Sequence, residues 1–219
     1  MRNIDILCIG EVLVDFIGHQ TGVNINETRD YHRYLGGSPT NVAMNSARLG
    51  LKSVLVAAVG NDAFGEYVFK RLEEVGVDTK YIKTVEGKPT SVIFVSRTES
   101  TPDFIPFREA DYRITQNQVN KHVLEDTTIF HTTCFALSKD PAQTTILKKA
   151  EEAYNLGCTL SIDVNYAKKL WDSQAQALKV IKAYCKFDPL VKISEDDMLR
   201  LFEEELSHDE IFNFFNRKI

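Results

Sequence analysis

Glycine is scarce where a phosphate-binding loop would need it. Ten of the eleven glycines fall within residues 1–87, and Gly157 stands alone beyond them. Gly157 follows a helical pattern and reads as its C-terminal cap, so the second half holds no glycine-rich turn to cradle a phosphate. Neither G-x-G-x-x-G nor a Walker A string occurs, which removes support for dinucleotide binding and for a P-loop. Basic charge is short as well: 26 Lys and Arg against 31 Asp and Glu leave a net charge of −5. A nucleic-acid partner, which needs a basic face, is excluded on that ground. No apolar run is long enough to span a bilayer. The opening MRNIDILCIG lacks the basic start and cleavage site of a signal peptide and reads as a first strand. The four cysteines, Cys8, Cys134, Cys158 and Cys185, are widely spaced. The first three sit in apolar runs and read as buried free thiols rather than metal ligands or disulfides. A cytoplasmic protein is the expectation.

The 219 residues, 43% of them hydrophobic, suffice for one sizeable α/β domain with a buried core. Strand and helix signals alternate. Ile4 to Ile9 is an apolar strand run. Ser38-Pro39 reads as an N-cap followed by Pro at the first helical position, with Gly50 ending the helix. Ser53 to Val59 is again strand-like. Asp62 caps a helix on which Phe64, Tyr67, Val68, Leu72 and Val75 recur at helical spacing. Asp140-Pro141 opens a third helix, closed by Gly157. A strand follows from Cys158 to Val164, and a short one from Leu190 to Ile193 sits between helices over Ser173–Tyr184 and from Glu195 onward, including EEELSHDE. Such repeats predict a mostly parallel sheet with helices on both faces. Residues 12–35 and 90–108 break the rhythm. They are extended without an intervening helix and predict a small antiparallel β lid beside the main sheet.

The strongest local pattern is LGGSPTNVAMNSARLG, Leu35 to Gly50. Gly36 and Gly37 precede a helix start, glycine lets the backbone approach a ligand, and the first helical N–H groups point outward as donors. Asn41 adds an amide that both donates and accepts. The set suits a polyhydroxylated ligand; a tight turn with an ordinary cap is the equal alternative. Asp15, in GEVLVDFIG, lies just past the first strand, where a carboxylate can accept from two adjacent hydroxyls; a solvated hairpin aspartate is its alternative. His131, within IFHTTCFAL, reads as a core or edge histidine, and Trp171 as packing.

Several segments in order carry a resemblance: GEVLVDFIG, GGSPTNVAMNSARLG, VGNDAFGEYVFKRLEEVGV, PTSVIFV with FIPFREADYRI, IDVNYAKKLW and VKISEDDM. From its first strand to about Leu201 the chain resembles the ribokinase-like (PfkB) carbohydrate kinases, and most of all their fructokinases. The resemblance implies a three-layer ribokinase-like fold with a β lid and transfer of the ATP γ-phosphate to a sugar hydroxyl with Mg²⁺. Fructose is the first substrate implied, and a 2-keto-3-deoxygluconate-like acid the second. It assigns Asp15, Gly36, Gly37, Asn41 and Arg108 to the sugar, Asp163 and Asn165 to the nucleotide phosphates, and Asp197 to the metal. A homodimer through the lid is also implied. Val164 and Ala167 depart from the family's usual proline and arginine, and Asp197 stands for its usual glutamate. The family's D-T-x-G-A-G-D signature, which supplies the anion hole and the catalytic base, is not in this sequence. The expectation is therefore one incomplete kinase domain over residues 1–219 with no catalytic base, inactive alone. The alternative is a non-catalytic sugar-binding remnant or gene fragment.

Overall fold

The computed structural model describes residues 2–98 and 103–216, so part of the predicted 90–108 lid lies outside the described residues. In chain order, β1 (Ile4–Ile9), β2 (Leu13–Thr21) and β3 (Tyr31–Gly36) lead into α1 (Ser38–Arg48). Next come β4 (Ser53–Gly60), α2 (Ala63–Glu73), β5 (Ile82–Val85), β6 (Val92–Arg97) and β7 (Phe104–Phe107). The remainder is α3 (Lys121–Glu125), β8 (Thr127–Thr133), α4 (Ala142–Asn155), β9 (Thr159–Asp163), α5 (Gln174–Cys185), β10 (Leu190–Lys192), α6 (Glu195–Phe202) and α7 (His208–Asn216). Among the described residues no helix is long and apolar enough to cross a membrane.

Six strands form a parallel sheet in the order β10-β9-β8-β1-β4-β5. Its central strands are buried on both faces, which is why they read as unbroken apolar runs. Ile6, Cys8, Leu55 and Ala57 point to the side of α1 and α2. Leu7, Ile9, Phe130, Leu160 and Ile162 point to the side of α4 and α5, against Ile146 and Ile181. Each buried Leu, Ile or Phe among them contributes roughly 1.5–3 kcal/mol. The predicted caps hold at α2, where Asp62 accepts from the N–H of Phe64 and Gly65, and at α4, where Gly157 ends the turn at φ 77°. At α1 the N-cap is Gly37, not Ser38, which lies inside the first turn.

The lid is a four-stranded sheet, β3-β2-β6-β7. It corrects the expected antiparallel flap at one pairing: β2 and β6 run parallel, while β2–β3 and β6–β7 are antiparallel. Both β2 and β6 leave the main sheet from the carboxyl ends of its strands, β2 after β1 and β6 after β5, so they enter the lid in the same direction. The C-terminal acidic stretch is not one helix. Glu203 takes a left-handed conformation at φ 58° and ends α6, and Ser207 with Glu210 exchanges the bonds that start α7.

Candidate functional site

The lid hangs over the carboxyl edge of the main sheet, where loops of open α/β sheets converge and bind ligands. Asp15, third residue of β2, pairs across the strands with Tyr34 of β3. Its half-buried carboxylate accepts no hydrogen bond from any described residue, and burial raises its pKa to about 6. Position 36 must be glycine for that carboxylate to lie there, since a Cβ would fall 2.2 Å from Asp15 Oδ2. Gly37 has φ 105° and a carbonyl of Glu11 only 2.3 Å from where its Cβ would stand. The two glycines thus set a close backbone turn beside Asp15, and the exposed Asn41 follows one helical turn on, its N–H bonded to the Gly37 carbonyl at 2.9 Å.

Glu11, between β1 and β2, is the residue that the sequence reading did not single out. It is 2% exposed. One carboxylate oxygen accepts from the Ser38 N–H at 2.9 Å and the other from Thr133 Oγ1 at 2.8 Å. Burial is the leading cause that raises its pKa to about 7, against those two bonds and the nearby Arg108 charge. The available signal was a lone charge inside GEVLV: a carboxylate in an apolar run is almost never fully buried without partners. Ser38, released from capping, donates Oγ to Asp163 Oδ2 at 3.1 Å. Glu11 and Ser38 therefore tie the glycine turn to the ends of β8 and β9.

Asp163 ends β9, and its Oδ1 lies 3.0 Å from Lys192 Nζ. Asn165 is exposed, with φ 25°, a left-handed turn that asparagine tolerates. Asp197 has a different occupation from the expected one. It is 2% exposed, and its Oδ1 accepts from the Tyr166 N–H and Arg200 Nη2, both at 3.0 Å. Its Oδ2 accepts from Ser194 Oγ at 2.6 Å and the Ser194 N–H at 3.1 Å. That carboxylate caps α6 and has no free lone pair for a cation. Among the described residues no group of three His, Cys, Asp or Glu could hold a metal ion. As placed, Asp197 offers no free oxygen to Mg²⁺.

Arg108 lies past β7 with an almost fully buried side chain. Its Nε donates to Asp111 Oδ2 at 2.8 Å and its Nη1 to Ser138 Oγ at 2.6 Å. Its Nη2 is 2.6 Å from Asp111 Oδ2 as an ion pair without hydrogen-bond alignment. The guanidinium also lies 4.2 Å over the Phe135 ring. Its charge acts on Glu11, and its donors are held by Asp111 and Ser138 rather than free. His131 packs beneath, Nδ1 3.1 Å from Ser161 Oγ, and burial lowers its pKa to about 4 against the opposing charge of Asp163. Trp171 is buried in the core, as its packing role requires. All four cysteines are free, three of them buried. A cleft of about 980 Å³ between α4, α5 and α7 is lined by none of these site residues.

A family model described as "pfkB family carbohydrate kinase" matches residues 3–216. The chain is 32% identical to an ATP-dependent 6-phosphofructokinase of Thermoanaerobacterium thermosaccharolyticum, over 98% of this chain and 66% of that one. It is 34% identical to a fructokinase of Solanum tuberosum over 81% of this chain and 56% of the relative. The chain thus spans about two thirds or less of these relatives' lengths. Among solved structures, the Halothermothrix orenii fructokinase superposes with a TM-score of 0.87 at 30% identity, over 99% of this chain and 77% of the other. A Pyrococcus horikoshii sugar kinase in complex with ATP superposes with a TM-score of 0.84 at 32% identity, over 90% and 66%.

Proposed function

Because this chain belongs to the pfkB family of carbohydrate kinases, we propose that it forms the sugar-binding part of an ATP-dependent sugar kinase with fructose as its preferred acceptor. The observation that carries the reading is Asp15, a half-buried carboxylate with no protein partner among the described residues, beside a glycine turn at the sheet's carboxyl edge. Burying a carboxylate unpaired is costly, and a ligand hydroxyl pair would satisfy it. Gly36, Gly37 and Asn41 complete the polar lining, with Arg108 from the lid side. Asp163 and Asn165, on the β9 turn, face the nucleotide, and Lys192 supplies a positive charge beside them.

ATP is the phosphoryl donor in this reading, and relatives of known structure support it. In this reading Mg²⁺ would come with the nucleotide and would supply charge neutralisation at its phosphates. These 219 residues contain no D-T-x-G-A-G-D segment, so the reading gives them sugar binding and not the base. Two lids paired across a homodimer belong to the same reading, and sedimentation distinguishes that from a monomer. The four free thiols suit the reducing cytoplasm. Calorimetric titration of the chain with fructose tests the proposal. Asp15→Ala should weaken binding by roughly 1–3 kcal/mol, the cost of leaving polar groups unpaired. Equal affinity in the two proteins would overturn it.

A further inference from the structure

The site-facing side of the lid carries an aromatic ring to which the site described so far gives no role. Tyr34 stands directly opposite Asp15 in the β2–β3 pairing. Opposed residues share a face, with Cβ atoms about 4.5–5.5 Å apart. Its neighbours project to the other side: Arg33 lies 4.0 Å over the Tyr67 ring, and Leu35 packs with the core beneath α1 and α2. On the Tyr34 side, the β6–β7 half of the lid is closed. There Ile93, Val95 and Phe104 pack with Leu13, Phe135 and Leu170. The β2–β3 half is open. Tyr34 is 48% exposed, and its ring neighbour among the described residues is His32, 6.3 Å away and tilted by 46°.

A ring-form sugar is amphipathic. Its hydroxyls lie on the rim and its C–H bonds on a face. A sugar whose rim is held by Asp15 presents that C–H face to the residue one strand away. A tyrosine ring is a rigid apolar surface with little side-chain entropy to lose on contact. An open-chain polyol or sugar acid has no flat C–H face to offer it. We propose that Tyr34 is a second sugar contact, a stacking platform that makes the Asp15 site select ring-form sugars over open-chain polyols and acids. The inference rests on the sugar-kinase reading and narrows its substrate class.

The test is titration of the 219-residue chain with fructose and, as the open-chain probe, sorbitol. Wild type should bind fructose more tightly than sorbitol. Tyr34→Ala should weaken fructose binding about three- to tenfold, the scale of one aromatic contact, and leave sorbitol within about twofold. Tyr34→Phe should match wild type. Phe107→Ala, on the opposite lid face against Phe94, should bind fructose as wild type does. Because Tyr34 is half exposed, its removal leaves the fold intact, which circular dichroism checks. Unchanged fructose affinity in Tyr34→Ala overturns the inference alone. So does a loss in Tyr34→Phe as large as in Tyr34→Ala, which would make the contact a hydroxyl bond. A changed sedimentation coefficient in Tyr34→Ala with fructose affinity intact also overturns it, by assigning the ring to a subunit contact. A wild-type chain that binds no sugar overturns the kinase reading and this inference together.

Discussion

Glu11 and Asp15 lie four residues apart in one string, and only Asp15 stood out as a residue that binds. A carboxylate at a strand mouth is a familiar arrangement. A carboxylate whose partners are a backbone N–H and a threonine far along the chain becomes visible only once the chain has folded. Its burial has a measurable consequence. Glu11 titrates near 4.5 when unfolded and at about 7 when folded. Between those values the folded protein holds a proton that the unfolded chain has released, so stability falls as pH rises through the window and levels off above it. Two and a half pKa units amount to about 3 kcal/mol. His131, lowered to about 4, contributes the opposite slope below 6.5, so the difference between proteins is what isolates Glu11. Glu11→Gln keeps the shape without the charge. It should be about 1–3 kcal/mol more stable than wild type at pH 8, with that gain gone near pH 4.5. Urea unfolding at the two pH values checks this, and a pH-independent difference would contradict it.

Among the elements, those whose signal is local were legible in advance. The parallel strands read as apolar runs because both faces are covered, and the helix stops at Gly50 and Gly157 coincide with positive φ. Pairings set by where the chain re-enters the lid were not legible, and neither was the break at Glu203–Ser207. There a run of acidic residues of good helix propensity is overridden by a left-handed residue and a new cap. Asp62 shows how far a legible cap can extend. It holds the start of α2 and also accepts from the Thr90 N–H and Oγ1, both at 2.7 Å, just before β6 begins. One side chain therefore joins a helix of the main layer to a lid strand. Asp62→Ala should cost about 1–2 kcal/mol in denaturant unfolding, the range for a lost N-cap. Hydrogen exchange should also rise at the start of β6. Asp62→Asn, which keeps an acceptor, should recover most of the loss. Faster exchange confined to α2 would show that the lid connection carries nothing.

For the molecule as a whole, the distribution of free donors and acceptors decides what these 219 residues can do by themselves. Phosphoryl transfer to a sugar needs a group that takes the hydroxyl proton, and a positioned side chain contributes about 10²–10⁴-fold. It also needs preorganised donors on the developing charge, where the loss of one costs about 10²–10³-fold. The carboxylates at the carboxyl edge are mostly committed. Glu11 is bonded through both oxygens, Asp163 is held by Ser38 and Lys192, and Asp197 is saturated by four donors. The helix starts near the edge are occupied too: the Ser38 N–H of α1 goes to Glu11, and α6 begins in the Ser194–Asp197 box. Asp15 accepts no hydrogen bond from any described residue, and Asp163 keeps Oδ1 without a hydrogen bond beside Lys192; in the proposed reading Asp15 is taken up by the sugar. The expected outcome is that the purified chain binds fructose but gives no ATP-dependent phosphorylation of it above background in a coupled assay. Turnover that is robust in the chain and abolished in Asp15→Ala, which rules out a contaminating kinase, would defeat this expectation and mean that a partner chain or another residue supplies the proton acceptor.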